Sequence, residues 1–193
     1  HNGPLIAVGN HVNFLDVPVM YSHLFPRRMT GLGKIETWDN PFLGWLFNVW
    51  GIIPINRDKA DFQAFQKAKD ALRDGKILAV SPEGTRSEDG KLIRGKPGIA
   101  MLITRSDVPL IPLAYFGHEN FRENIRKLKR TPMHIRVGEQ FRINLKGHAI
   151  SKETLQAVTD EIMVEIAKLM PEQYRGAYAD VDSASREFIA YLD

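Results

Sequence analysis

The chain has 193 residues, of which 44% are hydrophobic and 25% are charged, so one globular domain over residues 1–193 is expected. It has no cysteine, which excludes disulfides, a cysteine nucleophile, cysteine-ligated zinc and a thioester formed on the protein. The net charge of +3 mildly favours anionic partners such as phosphate groups or a membrane surface, and is too small to indicate nucleic acid binding.

The first predicted strand, residues 4–8, is continuously apolar and leads through Gly9 into a polar turn that contains His11 and Asp16. Open α/β sheets bind ligands at the carboxyl ends of their strands, so this turn is a candidate site. The two side chains can meet if His11 precedes the next helix and Asp16 lies in its first turns, with Asn13 as a possible N-cap. The carboxylate would then orient the imidazole and leave its other nitrogen free as a general base. The alternative is a helix cap beside a structurally satisfied histidine.

A helix is predicted over residues 14–25 and a strand over residues 29–33, with Lys34 at its end. The next segment contains all three tryptophans, and Trp38, Phe42 and Trp45 fall on one helical stripe. The apolar run over residues 42–55 is too short to span a bilayer as a helix. An aromatic stripe favours a buried helix. The alternative is a helix that lies at the membrane interface.

A strand is predicted over residues 51–55, and Arg57 lies just after its carboxyl end. A helix follows from about Lys59 to Arg73, with Phe62, Phe65 and Leu72 on its apolar side.

The strand predicted over residues 77–80 leads into a second polar cluster, residues 81–87. Arg86 carries a planar donor fork that suits a phosphate, and Glu83 could hold that arginine or a substrate hydroxyl. The alternative is an ordinary polar turn with a local ion pair.

A helix is predicted over residues 97–106, and a strand over residues 108–116 that contains two prolines, including Pro112. Prolines are unusual in a central strand, so this segment is expected to be an edge, a bulge or a tunnel wall. The basic run over residues 122–130 favours a solvated face, and the alternative is a dock for anionic groups.

Two short strands, a long helix after Ser151 and a peripheral helix in the acidic last twenty residues complete the prediction. Strands that alternate with helices predict an α/β fold with a mostly parallel central sheet flanked by helices. The polar loops described above would then gather at one edge of the sheet.

Four segments resemble, in order, the four motifs of the glycerolipid acyltransferases, the lysophosphatidic acid acyltransferase family. They are the HX4D pair His11 and Asp16, and residues 51–57, 82–87 and 108–113. The resemblance covers about residues 4–118. Asn13 stands where the family usually has serine, and Ser81 stands where an aromatic residue usually precedes the proline.

The resemblance implies an O-acyltransferase of phospholipid biosynthesis that uses acyl-CoA or acyl carrier protein as co-substrate, with no cofactor and no metal. The acceptor implied is a phosphorylated glycerolipid, most directly 1-acylglycerol 3-phosphate, which would give phosphatidic acid. His11 would be the general base and Asp16 would orient it. The substrate-binding residues implied are Lys34, Arg57, Glu83, Gly84, Thr85, Arg86 and Pro112, the last in the wall of an acyl channel.

Other acceptors that fit the same motifs are glycerol 3-phosphate, other lysophospholipids, ornithine lipids and glycolipids. A non-catalytic lipid-surface module is a further alternative, as is a metal-dependent phosphoester hydrolase, although no H-E-x-x-H spacing occurs. Since no G-x-S-x-G occurs, the motifs do not support a serine acyl-enzyme.

The chain begins at His1, close to the first motif, and family members usually carry an N-terminal membrane-associated segment. We therefore expect that such a segment is missing here. The expected location is the cytoplasmic side of the membrane, with the protein either peripheral or anchored by that segment. The sequence leaves the acyl-chain length, the donor carrier and the oligomeric state open.

Overall fold

The computed structural model describes residues 3–57 and 61–192. The strands are β1 Leu5–Gly9, β2 Met29–Lys34, β3 Ile53–Ile55, β4 Ile77–Val80, β5 Leu110–Phe116, β6 His134–Val137, β7 Phe141–Ile143 and β8 Ile189–Tyr191. The helices are α1 Asp16–Leu24, α2 Pro41–Val49, α3 Phe62–Arg73, α4 Gly98–Thr104, α5 Phe121–Arg126 and α6 Lys152–Lys168. Short 3-10 turns cover Ile35–Asp39, Glu172–Tyr174 and Gly176–Tyr178.

The strands of the described residues form one sheet in the order β3-β2-β4-β1-β5-β7-β8, with β6 also paired to β5. The first five strands pair in parallel, whereas β6, β7 and β8 pair antiparallel. The predicted α/β fold with a mostly parallel sheet is therefore confirmed. Val8 lies opposite both Val80 and Pro112, so the carboxyl ends of β1 and β4 lie at the same edge of the sheet.

The two faces of the sheet are covered by different helices, because successive side chains of each strand point to opposite faces. Ile6 and Val8 pack in one cluster with side chains of α3, α4 and α6. Leu5 and Ala7 belong to a second cluster, which includes Met20 of α1. Each large aliphatic side chain buried in this way stabilises the fold by about 1.5–3 kcal/mol.

The prediction of a buried helix around the tryptophans is wrong. Trp38 lies in a 3-10 turn, α2 begins only at Pro41, and Phe42 and Trp45 are 66% and 59% exposed. The reason is Gly44, whose missing side chain lets α2 approach Trp38 closely, so the opposite side of the helix faces outward. Among the described residues, no helix combines the length and the hydropathy that crossing a bilayer requires.

The apolar side predicted for α3 is wrong at Phe62, which is 74% exposed. Asp61 caps the helix through the backbone N–H of Ala64, and the small side chains of Ala64 and Ala68 face the sheet instead. The predicted start of this helix at Lys59 lies outside the described residues.

The strand with two prolines is central and not an edge strand, since β5 pairs with β1 on one side and with β6 and β7 on the other. At Pro112 the strand that pairs with this side of β5 changes from β7 to β6. The carbonyl of Pro112 accepts a hydrogen bond from the backbone N–H of Gly138 at 2.9 Å. A strand's N–H and C=O point to the same side, so the missing N–H of Pro112 faces this break.

The peripheral helix predicted for the acidic tail is also wrong, because Ile189–Tyr191 form β8 against β7. The buried carboxylate of Glu161 on α6 accepts hydrogen bonds from the backbone N–H groups of Glu187 and Phe188, at 2.7 and 2.8 Å. This long-range contact directs the tail into the sheet.

Candidate active site

The turn after β1 is fixed to β5 by the buried side chain of Asn10. Its Nδ2 donates to the carbonyl of Tyr115 and its Oδ1 accepts from the N–H of Tyr115, each at 2.8 Å. The side-chain amide thus makes the two hydrogen bonds that the backbone of a paired strand would make to Tyr115. It holds the next residue, His11, at the sheet edge.

His11 and Asp16 are in direct contact, with 2.6 Å between His11 Nδ1 and Asp16 Oδ2. The same carboxylate oxygen accepts the backbone N–H groups of Val12 and Asn13, at 2.7 and 3.1 Å. Asp16 is the first residue of α1, which begins later than predicted. Asn13 is not its N-cap, because Leu15 occupies that position; Asn13 Oδ1 accepts from Leu15 N within the preceding turn.

Asp16 also contacts a second histidine, His118, which is not among the predicted site residues. Nε2 of His118 lies 2.6 Å from Asp16 Oδ1. Burial raises the pKa of Asp16, but the hydrogen bonds from His11 and His118 outweigh it and hold this pKa below its ordinary value. Asp16 is therefore a carboxylate at neutral pH and can stabilise an imidazolium.

The buried side chain of Glu83 connects the second polar turn, which contains it, to the backbone of His11 in the first. This side chain is 0% exposed, Oε2 accepts the backbone N–H of His11 at 2.8 Å, and Oε1 accepts the N–H of Ile93 at 3.0 Å. Burial raises the pKa of Glu83 to about 7. Glu83 does not line the cavity described below, because both of its oxygens are directed at backbone groups.

Three cationic side chains lie around the second polar turn. Arg86 Nε is 3.3 Å from His11 Nε2, and Arg57 Nη1 donates to the carbonyl of Gly84 at 2.7 Å. The side chain of Lys96 packs beside Gly84. Partial burial and the charge of Arg86 lower the pKa of Arg57, while Glu36 acts in the opposite direction. Within the described residues none of the three cations forms an ion pair with a carboxylate, which is typical of an anion site.

A mostly apolar cavity of about 440 Å³ extends from this cluster, within the range typical of small-molecule sites. Small residues of β1, β2 and β4 leave its floor open, namely Ala7, Gly31, Gly33 and Ala79. Larger apolar side chains form its walls, among them Met20, Phe47, Ile52, Phe65 and Leu113. At its polar end lie His11, Asp16, Arg57, Gly84, Thr85 and Lys96.

Besides Glu83, the predicted substrate-binding residues Lys34, Arg86 and Pro112 do not line this cavity, although Arg86 contacts His11 at its polar end. Lys34 is exposed at the end of β2 and pairs with Glu36 at 3.3 Å. Pro112 is buried against Gly138, so it does not form part of the cavity wall. Residue order along a strand places both near the site, but the direction of their side chains takes them out of it.

Sequence reasoning missed Asn10, Lys96 and His118. His118 follows β5 at the same distance at which His11 follows β1, two residues past the strand end. This position just after a strand end is a sequence signal that could have identified His118. Lys96 carried no such signal, since it reaches the site from a loop that precedes α4.

The chain is similar to known proteins in sequence and in structure. Residues 1–116 match the family model described as Acyltransferase. A 1-acyl-sn-glycerol-3-phosphate acyltransferase of Bacillus subtilis is 29% identical over 160 residues, covering 82% of this chain and 77% of that protein. The crystal structure of the 1-acyl-sn-glycerophosphate (LPA) acyltransferase PlsC from Thermotoga maritima is similar with a TM-score of 0.62 and 25% identity, over 88% of this chain and 66% of that chain.

The plant relatives are much longer than the matched region. A chloroplastic 1-acyl-sn-glycerol-3-phosphate acyltransferase of Brassica napus, BAT2, is 27% identical over 116 residues. These residues cover 59% of this chain and 33% of that protein, so the match spans about a third of the relative's length.

Proposed function

The chain belongs to the acyltransferase family, of the glycerolipid type, and on that premise we propose that it transfers a fatty acyl group from acyl-CoA or acyl carrier protein to a lysophospholipid hydroxyl. The acceptor proposed is 1-acylglycerol 3-phosphate and the product phosphatidic acid, in line with the names of its relatives. One observation carries the proposal: the His11–Asp16 pair and Arg57 lie at the polar end of one apolar cavity, where Arg86 contacts His11.

In the proposed reaction, His11 Nε2 accepts the proton of the acceptor hydroxyl while Asp16 holds Nδ1–H and stabilises the imidazolium. The hydroxyl oxygen attacks the thioester carbonyl, forming the new C–O ester bond as the C–S bond breaks. The imidazolium then returns its proton to the departing thiolate. The step is balanced without a metal or a cofactor, and the donor is a co-substrate.

Arg86 has to move for this step, because its Nε faces the His11 nitrogen that would take the proton, at 3.3 Å. A phosphate dianion is a stronger partner for a guanidinium than a neutral imidazole nitrogen. Binding of the acceptor phosphate by Arg86, Arg57 and Lys96 would therefore uncover the base as it brings the hydroxyl towards it.

The cavity supplies the environment for the acyl chain. Its floor of glycine and alanine and its apolar walls suit a fatty chain that enters with the thioester carbonyl last, beside His11. The location proposed is peripheral, at the cytoplasmic side of a membrane, and the exposed aromatic side chains of α2 support the contact with lipid.

The test is a thiol-release assay that combines acyl-CoA and acyl carrier protein donors with 1-acylglycerol 3-phosphate, glycerol 3-phosphate, other lysophospholipids and monoacylglycerol. We expect thiol release with 1-acylglycerol 3-phosphate, with phosphatidic acid as the product by mass spectrometry, and none with monoacylglycerol, which lacks the phosphate. Thiol release with no acceptor present, or equal rates with and without the acceptor phosphate, would contradict the proposal.

Replacing the base is the matched control. His11→Ala is expected to lower kcat by at least about 10², the lower bound for a lost general base. Its thermal unfolding should stay close to the parent, since Glu83 and Ser87 bond the backbone of His11, and Asp16 Oδ2 keeps the N–H groups of Val12 and Asn13. An active His11→Ala variant would disprove this mechanism even if the acceptor were correct.

A further inference from the structure

His118 lies at the sheet edge where His11 and Asp16 meet, and its side chain is 1% exposed. Its Nε2 is 2.6 Å from Asp16 Oδ1, and its backbone carbonyl accepts a hydrogen bond from Asn13 Nδ2 at 2.8 Å. These two bonds connect the end of β5 to the turn that carries His11.

The two oxygens of Asp16 have different partners. Oδ2 serves His11 Nδ1 and the backbone N–H groups of Val12 and Asn13. In the described part of the chain, the hydrogen bond to Oδ1 comes from His118. Without it, one oxygen of a buried carboxylate would lose its donor, and the carboxylate would be free to turn about its last side-chain bond.

The protonation of His118 follows from the acceptor it meets. A carboxylate only accepts hydrogen bonds, so Nε2 of His118 must carry a proton and donate. Nδ1 of His118 is buried and has no hydrogen-bond partner among the described residues. A second proton there would place a buried cationic N–H without an acceptor, which costs more than an unpaired nitrogen lone pair. The neutral ring with hydrogen on Nε2 is therefore the form that fits this site.

We infer that His118 is a positioning residue, whose Nε2–H holds the Asp16 carboxylate in the orientation that presents Oδ2 to His11. This inference rests on the proposed function, because it gives His118 a part in the general-base step. His118 does not line the cavity, so it acts through Asp16 and not on the substrate.

The test compares three variants of the full chain. In His118→Gln the side-chain amide reaches about as far as Nε2 and can still donate to Asp16. In His118→Asn the amide is one carbon shorter and falls short, and His118→Leu has no donor. Thiol release gives kcat and both KM values, and thermal unfolding gives the stability of each variant.

We expect kcat of the Asn and Leu variants to fall roughly 10- to 100-fold, which is part of the effect of a general base. Both KM values should stay within about twofold, because no substrate contact is lost, and Gln should restore most of kcat. Equal kcat for Gln and Asn at equal stability, or a loss confined to KM, would overturn the inference. If Leu fails to fold, the Gln and Asn pair still decides.

A second readout needs no turnover and so separates this inference from the proposed function. The proton NMR spectrum should contain a downfield imidazole N–H signal that His11→Ala removes and another that His118→Leu or His118→Asn removes. Loss of the His118 signal should also shift or broaden the His11 signal. An unchanged His11 signal in these variants would overturn the positioning role, whereas absence of thiol release in the parent protein would overturn only the proposed function.

Discussion

Single side chains at the site divide into those that face the cavity and those that hold the turns in place. His11, Arg57, Thr85 and Lys96 lie at the cavity, while Glu83 makes its contacts to backbone groups beneath it. The two groups should therefore respond differently to mutation, the first in the kinetics of the substrates and the second in the stability of the fold.

Arg86→Ala is predicted to raise the acceptor KM by about 10- to 100-fold, because a charge-assisted hydrogen bond is worth about 1.5–3 kcal/mol. The donor KM should change little. Arg86→Lys keeps the charge without the planar fork, so its acceptor KM should lie between those of the parent and Arg86→Ala. Steady-state kinetics in both substrates measure this, and an acceptor KM that does not change would argue against the phosphate contact.

Glu83 should make the stability of the protein fall as the pH rises. Its pKa moves from an ordinary value of 4.5 to about 7 on folding, so the folded state binds more protons between these pH values. The free energy of unfolding above pH 7 should be lower than at pH 4 by on the order of 3 kcal/mol. Urea unfolding at several pH values measures it.

Glu83→Gln is the control for this pH effect, since the amide does not titrate. It should be less stable than the parent at pH 5, because its NH₂ group meets a backbone N–H of either His11 or Ile93. Its stability should then change less between pH 5 and 8. Parallel pH curves for the two proteins would assign the slope to other groups.

At the scale of elements, α2 is the helix whose environment differs most from its sequence pattern. One side packs through Gly44 on Trp38, and Phe47 borders the cavity. The other side presents Phe42 and Trp45 to the exterior. An exposed aromatic face beside an apolar cavity is typical of a surface that rests on lipid.

The double variant Phe42→Ser, Trp45→Ala is predicted to weaken binding to vesicles that contain phosphatidic acid by roughly tenfold or more, since two large apolar side chains leave the interface. Its thermal unfolding should match the parent, because both side chains are exposed in the fold. Vesicle co-sedimentation measures the binding. Phe62→Ser is a control for the loss of an exposed aromatic side chain elsewhere, since Phe62 is exposed on α3; the same loss in both variants would exclude a specific role for α2.

At the scale of the whole molecule, the site exists because parallel strands place their carboxyl ends side by side. The turns after β1 and β4 then meet, and the backbone N–H of Ser87 donates to the carbonyl of His11 at 2.8 Å. The cavity follows from the small residues that β1, β2 and β4 contribute below these turns, including Ala79.

Ala79→Leu is predicted to shift donor preference towards shorter acyl chains, because the larger side chain occupies part of the cavity floor. Long-chain donors should lose about tenfold in kcat/KM while short-chain donors change little. Ala79→Ser, which adds little volume, should keep the parent preference. Competition among mixed-length donors, read by mass spectrometry, measures this, and an unchanged product distribution would place the acyl chain elsewhere.

The sequence by itself determined the α/β fold and, apart from α5, the order of the elements up to α6. It also indicated His11, Asp16, Arg57 and Arg86, which the structure brings close together. These follow from local features, namely apolar runs that end in polar turns and motifs with fixed spacing.

Only the tertiary structure decided that Glu83 faces the backbone, that Lys34 and Pro112 lie outside the cavity, and that α2 exposes its aromatic side chains. It also decided that His118 reaches Asp16 from 102 positions away. The physical reason is that side-chain direction and burial depend on contacts between segments distant in the chain. The order of residues along one strand or helix does not contain these contacts.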